Sequence, residues 1–251
     1  MDSRGELLRF QAKEFVNDAL SLMFPTRAVC MGCGTAAGFE SEWLCDECRK
    51  LLVRRWIGAF PEPKLDGAAA AYHYGGPAGG VVRNFKYHDV TTLAEPMAKS
   101  MLGALEQIQP VGAEMVVPVP MHPKRLKKRG YNQSELLAKE IAGMLEVPCE
   151  NGLVRVRDTV QQARLEGDER RKNLKDAFRA EPCVSGWRVL LVDDVYTTGE
   201  TARECAKALR EGGAISVSFL AYAKGEYFGG NDGEDYEREE SDGARSARSE
   251  G

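Results

Sequence analysis

The chain has 251 residues, 34 of them Lys or Arg and 38 Asp or Glu, a formal net charge of −4, with 43% hydrophobic and 29% charged residues. This is an ordinary globular composition, long enough to bury a core without a disulfide framework, and its longest apolar runs, Met115–Met121 and Val189–Val192, fall far short of the roughly 20 residues of a membrane-spanning helix. The acidity is local: residues 226–251 hold nine acids and three bases, leaving a nearly neutral body of 31 bases and 29 acids, so the net charge does not exclude an anionic ligand.

Residues 1–24 predict an amphipathic helix, because Leu8, Ala12, Phe15, Ala19 and Leu22 recur at helical spacing with charges between them. The segment lacks a continuous apolar centre and a small-residue cleavage site, so it does not read as a secretory signal, and a cytoplasmic location is expected. Pro25 ends the helix. Residues 25–60 form a cysteine-bearing module, and the Pro-containing link Phe60–Gly67 follows. Ala68–Tyr74 reads as a strand, the next segment ends in FKYHD (Phe85–Asp89), and Leu93–Ile108 has the periodicity of a helix.

Beyond Glu114 short β-rich runs alternate with helical patterns: Glu114–Pro120, Gln133–Leu145, Gly152–Val156, Arg188–Val192, Glu200–Arg210 and Ile215–Tyr222. Such alternation predicts an α/β domain over residues 61–225, a parallel sheet flanked by crossover helices. The helix after Gly199 is the clearest, with Ala202, Cys205, Ala206 and Leu209 on one face and Gly212–Gly213 stopping it. Residues 226–251 are rich in Gly, Ser and charge and poor in aliphatic residues, which predicts a disordered acidic tail.

Four of the seven cysteines form two CxxC pairs, Cys30–Cys33 and Cys45–Cys48, separated by eleven residues. Two residues between thiolates let both sulfurs of a tight turn face one metal at about 2.3 Å, and a second such turn completes a tetrahedron around zinc. Gly32 and Gly34 suit that turn. Two disulfides are disfavoured by the compartment, and a redox role by the lack of a thioredoxin-like strand and helix around either pair. Four thiolates leave no open position, so the expected zinc is structural. Cys149, Cys183 and Cys205 are scattered and read as core residues; His73, His88 and His122 show no ligand spacing.

The most informative stretch is Val189–Thr201, VLLVDDVYTTGET. A buried strand ends in two carboxylates, and a turn bearing hydroxyls and a glycine then opens a helix. In an open α/β sheet the ligand crevice lies at the carboxyl ends of the strands. The backbone N–H groups of Thr197–Thr201, at a helix N-terminus, are placed to hold a phosphate. Paired aspartates beside a phosphate need hydroxyl donors or a divalent cation, so a sugar phosphate with a vicinal diol fits.

These thirteen residues resemble the phosphoribosyl pyrophosphate signature of type I phosphoribosyltransferases, although Tyr196 is bulkier than the aliphatic residue common there. With the four-cysteine module, FKYHD, VPVPMHPKRLKKRGYNQSELLA, RVRDTVQQAR and ERRKNLKDAF, the chain resembles the ComF family over residues 25–225. The resemblance implies a type I phosphoribosyltransferase fold with a small zinc-ribbon-like module in front, and an association with natural transformation and DNA uptake. It assigns Asp193 and Asp194 to the ribose hydroxyls and Thr197, Thr198, Gly199, Glu200 and Thr201 to the 5-phosphate, with Val195 and Tyr196 between them. Mg²⁺ would bridge ribose and pyrophosphate oxygens.

The same resemblance makes the loop after the Val117–Pro120 strand a pyrophosphate subsite. Five bases stand in six positions, Lys124–Arg129. Arg125, Arg129, Asn132 and Gln133 are its candidate residues, Asn132 also as the cap of the next helix. Lys86 is added by resemblance alone, and Arg164–Lys175 by its place before the signature, where such enzymes carry a mobile loop. A solvated basic face is the bland alternative. Single-stranded DNA is the other, but only Tyr131 is interleaved with the first basic run, so Trp43, Trp56 or Tyr87 would have to supply the stacking. Two functions stay open on sequence alone: a transferase using phosphoribosyl pyrophosphate, and a non-catalytic single-stranded-DNA-binding competence factor working with other DNA-uptake proteins. A transcriptional regulator is disfavoured by the lack of a helix-turn-helix pattern.

Overall fold

Alternation along one strand sets the layers of the molecule. In Arg188–Tyr196, Val189 and Leu191 enter one core while Leu190 and Val192 enter another, as a strand covered on both faces requires. The computed structural model describes residues 29–35, 43–88, 90–108, 112–157 and 174–225. The helix expected over residues 1–24, the tail 226–251 and most of the basic stretch Arg164–Lys175 lie outside the described residues.

In chain order the elements are α1 Asp46–Arg54, β1 Trp56–Ala59, β2 Gly67–His73, α2 Gly76–Tyr87, α3 Ala94–Leu105, β3 Met115–Pro118, α4 Pro123–Arg129, α5 Gln133–Leu145, β4 Leu153–Arg155, β5 Phe178–Ala180, β6 Arg188–Tyr196, α6 Glu200–Glu211 and β7 Ser216–Lys224. The main sheet has the order β1-β2-β7-β6-β3. Its pairs are parallel except at the edge, where β1 runs antiparallel to β2. One face buries Phe85 of α2, Met97 and Met101 of α3, and Leu137 and Ile141 of α5. The other buries Ala202, Cys205 and Leu209 of α6 against the β4–β5 hairpin. No helix among the described residues is long and apolar enough to cross a membrane.

Connectivity places a crevice between β3 and β6. From β3 the chain runs through α5 on one face and returns at Cys149, bridged to the outer side of β3 at Val116. From β6 it runs through α6 on the other face and returns as β7 on the opposite side of β6. Connections leaving two adjacent strands in opposite directions open a ligand crevice at their carboxyl ends.

Several elements depart from the sequence reading. β6 runs on to Tyr196 rather than stopping at Val192, because Asp193, Val195 and Tyr196 keep pairing with Ala221, Ala223 and Lys224 of β7. The acidic pair therefore stands inside a strand. Gly152–Val156 contributes β4, which pairs antiparallel with β5 outside the main sheet. Lys124–Arg129 is the short helix α4, with His122 accepting from the Lys124 N–H and Gly130 ending it at φ 85°.

Helix α2 has three glycines and a proline in twelve residues, a poor helix by propensity. Packing explains it. A Cβ at Gly80 would lie 2.0 Å from the Gly32 carbonyl oxygen, so the glycine lets the first cysteine turn press onto the helix backbone. Asn84 Nδ2 ties the two together, donating to the Met31 carbonyl at 2.9 Å. Gly80→Ala is expected to destabilise the fold by about 1–3 kcal/mol through forced separation of these backbones. Chemical denaturation checks this, and Gly143→Ala, within α5 where an added Cβ meets nothing within 4 Å, serves as the control that gains only helix propensity, about 0.5–1 kcal/mol.

Candidate ligand site and cysteine cluster

At the carboxyl ends of β3 and β6 lies a cavity of about 320 Å³. Asp193 and Asp194 come from the carboxyl-terminal half of β6, and each is compensated from a different direction. Lys86, in the last turn of α2, places its Nζ 3.0 Å from Asp194 Oδ2. Burial alone would lower the Lys86 pKa, but the Asp194 charge and hydrogen bond outweigh it and hold the ammonium above its ordinary value. Asp193 Oδ1 accepts from the Ser134 hydroxyl at 2.7 Å and from the Asp194 N–H at 2.9 Å. Burial, reinforced by the Asp194 charge, still pushes the Asp193 carboxyl up to about 7. The floor is thus a pair of buried acidic groups, one held by an ammonium and the other by a hydroxyl and a backbone N–H.

A cationic wall completes the lining. Arg83 and Lys86 come from α2, Arg125 and Arg129 from α4, and Arg155 from β4, all lining the cavity. Asn132 caps α5, its side chain accepting from the Ser134 N–H while its Nδ2 donates to the Val119 carbonyl at 3.0 Å. Arg129 donates to Gln133 Oε1 at 2.8 Å, and its guanidinium lies 5.1 Å from the centre of the Tyr87 ring. The Tyr131 hydroxyl donates to the Phe85 carbonyl. These contacts fasten the α4–α5 segment to the end of α2 that carries Lys86.

Of the residues singled out in the sequence, Lys86, Arg125, Arg129, Asn132, Gln133, Asp193, Asp194, Val195, Thr197 and Thr201 meet at this cavity. Tyr196, Thr198, Gly199 and Glu200 do not line it. Tyr196 packs into the core on the α6 side, Gly199 is the N-cap of α6 at φ 77°, and Glu200 begins that helix. The sequence reading missed Arg83, Ser134, Arg155 and Tyr74, and named Tyr87 only as a candidate stacking residue for DNA. Ser134, in the first turn after a capping Asn, carried a usable signal; Arg155 did not, since nothing local to β4 tells which way its hairpin folds.

The cysteine cluster is assembled as its spacing predicts. The ligand atoms of Cys30, Cys33, Cys45 and Cys48 lie within 4.8 Å of one another, with Cys33 Sγ and Cys45 Sγ 3.8 Å apart. Four sulfurs at about 2.3 Å around a tetrahedral zinc stand about 3.8 Å apart, so the set fits that ion with little adjustment. The first turn is closed by Gly34 N–H donating to the Cys30 carbonyl at 2.8 Å. The Thr35 hydroxyl and backbone hold the Cys33 thiol down to about 6. Cys45 is the N-cap of α1, and Cys48 follows in its first turn. No other group of this kind occurs among the described residues.

No protein-family model matches the chain. Competence protein F of Haemophilus influenzae is 32% identical over 195 residues, covering 74% of this chain and 82% of that protein. This chain belongs to the ComF family. Within the ComF family, DNA utilization protein YhgH of Escherichia coli K12 is 29% identical over 196 residues, 76% of this chain and 82% of that protein. Competence protein ComFC of Bacillus subtilis is 27% identical over 150 residues, 59% and 60% respectively. Among solved structures, a glutamine phosphoribosylpyrophosphate amidotransferase from B. subtilis complexed with ADP and GMP aligns at a TM-score of 0.38 with 25% identity, covering 55% of this chain and 30% of that one.

Protein purified without chelators is expected to contain one zinc per chain, and Cys30→Ser to lose it, since Cys30 is buried and its sulfur also accepts the Cys45 N–H at 3.3 Å. Elemental analysis of both proteins decides the matter; zinc-free parent protein contradicts it.

Proposed function

We propose that this ComF-family chain binds phosphoribosyl pyrophosphate with Mg²⁺ in the β3–β6 crevice and serves DNA uptake through that ligand. The observation that carries the reading is the juxtaposition at one switch point of a carboxylate pair, a wall of five cations and the turn that opens α6. Each part answers a part of the ligand. A vicinal diol offers two hydroxyl donors to Asp193 and Asp194, the turn offers N–H groups to the 5-phosphate, and Arg125 and Arg129 offer paired donors to the pyrophosphate oxygens.

Asp193 and Asp194 are the carboxylates of the crevice that fit Mg²⁺. When bound, the ion would neutralise pyrophosphate charge. The chain's own residues do the rest. Lys86 keeps Asp194 from repelling the incoming anion, and Ser134 keeps Asp193 turned towards the strand end. Pentosyl transfer to an acceptor nucleophile is the chemistry this charge arrangement favours: the bond from the ribosyl carbon to the pyrophosphate oxygen breaks, and its electron pair leaves with the pyrophosphate. The acceptor's lone pair forms the new bond to that carbon and the acceptor gives up its proton, while the cationic wall stabilises the departing charge. The fixed acidic floor stands beside a ribosyl carbon gaining positive character.

Asp194→Asn is expected to weaken phosphoribosyl pyrophosphate by about 1.5–3 kcal/mol, the worth of a hydrogen bond to a charged acceptor. Calorimetric titration with and without Mg²⁺ measures this. If the Asp193→Asn, Asp194→Asn double variant binds as tightly as the parent, the pocket is misassigned.

One observation keeps single-stranded DNA in view as a second ligand. Tyr87 is exposed at the cavity beside Arg129, an aromatic set among cations. Trp43 and Trp56 instead pack against the core. If the α4 arginines follow a nucleic-acid backbone, Arg125→Ala and Arg129→Ala should each flatten the salt dependence of oligonucleotide binding, by about 0.7 per phosphate contact. The pyrophosphate reading expects both to weaken the metabolite and to leave that slope unchanged, which fluorescence titration at several salt concentrations distinguishes.

A further inference from the structure

The motif's one irregular residue, Tyr196, turns away from the cavity, and what it meets there has a use. Its hydroxyl donates to Glu62 Oε2, and Glu62 is buried. Arg203, on the first turns of α6, donates to the same Glu62 oxygen at 2.8 Å through Nη1 and to the Thr198 carbonyl at 2.6 Å through Nη2. Glu62 belongs to the segment between β1 and β2, which α6 grips a second time. There Arg210 donates to the Lys64 carbonyl at 2.6 Å and to Asp66 Oδ2 at 2.7 Å. Phe60 of the same segment packs edge-on against the Tyr196 ring at 4.8 Å.

We propose that Glu62, Tyr196 and Arg203 form a latch behind the Thr197–Gly199 turn that fixes its peptide groups for the phosphate, acting as positioning residues that do not touch the ligand. The inference rests on the reading of this turn as the 5-phosphate site. The geometry supplies the mechanism. In a trans peptide the carbonyl and the following N–H point in opposite directions, so anchoring the Thr198 carbonyl on Arg203 turns the Gly199 N–H away from Arg203 and from the Glu62 charge. The space behind the turn is filled as well. A Cβ at Gly199 would lie 2.2 Å from the Tyr196 hydroxyl and 2.8 Å from Arg203 Nη1. An aliphatic residue at position 196 would fill the core but leave Glu62 with one donor fewer, so the tyrosine is explained by its hydroxyl.

The test uses the full chain, with Glu62→Gln, which removes the charge, and Tyr196→Phe, which keeps the ring and removes only the hydroxyl. Affinity is measured for ribose 5-phosphate and for inorganic pyrophosphate, and ¹⁵N order parameters are measured at Thr197–Gly199 in ligand-free protein. Both variants should bind ribose 5-phosphate about tenfold more weakly, the effect of one hydrogen bond, while pyrophosphate affinity stays within about twofold. Order parameters in the turn should fall from about 0.85 towards 0.6 with the rest of β6 unchanged. If Tyr196→Phe leaves both the turn and ribose 5-phosphate affinity as in the parent, Tyr196 is core packing and the latch is wrong. A parallel loss for both ligands also overturns it, as general destabilisation. If the parent binds no ribose 5-phosphate, the phosphate-site reading fails, and the order parameters alone decide whether the latch holds the turn. Should Glu62→Gln not fold, Tyr196→Phe carries the test.

Discussion

Lys86 and Asp194 meet 3.0 Å apart with their side chains 23% and 10% exposed, and the crevice depends on that pair. Two adjacent carboxylates at the end of a strand repel each other and any anion, and burial raises the cost of both charges. One cation inside the cavity changes the balance: with Lys86 on Asp194 and Ser134 on Asp193, the floor can lie beside a cationic wall without collapsing onto it. Removing either member of such a pair leaves an uncompensated charge, which in buried cases costs about 3–5 kcal/mol. The Lys86 ammonium is therefore part of the architecture before it is part of any chemistry.

Holding that ammonium in place engages much of the chain. Helix α2 carries it, and α2 is gripped from two sides. The first cysteine turn presses onto Gly80 and receives the Asn84 hydrogen bond; the α4–α5 segment reaches across with Tyr131 and Arg129. The cysteine module is thus tied to the ligand site through one glycine-rich helix. A structural zinc, by ordering Cys30–Thr35, would stiffen the element that positions Lys86.

The sequence made the central strand, its acidic pair, the turn and helix α6 legible, because a buried apolar run ending in two charges has no packing explanation and Gly-bounded periodicity marks a helix. The cysteine cluster was legible from spacing alone. Helix α2 was not, since its glycines argue against a helix and serve a contact with residues some 50 positions earlier. The β4–β5 hairpin was hidden because neither short strand has enough alternation to name its partner. Glu62 sat unnoticed in what reads as a Pro-containing link. Its partners, Tyr196 and Arg203, lie more than 130 positions away, and no local pattern encodes such a pairing.

Backbone amide chemical-shift mapping during titration with phosphoribosyl pyrophosphate and Mg²⁺ tests the central claim most directly. The account predicts that the largest perturbations fall on Asp193–Thr201, on Arg129–Ser134 and around Lys86, the three segments that converge at the β3–β6 crevice, with the cysteine module changing little. Saturating perturbations that avoid Asp193–Thr201, or their complete absence at millimolar ligand, would contradict it.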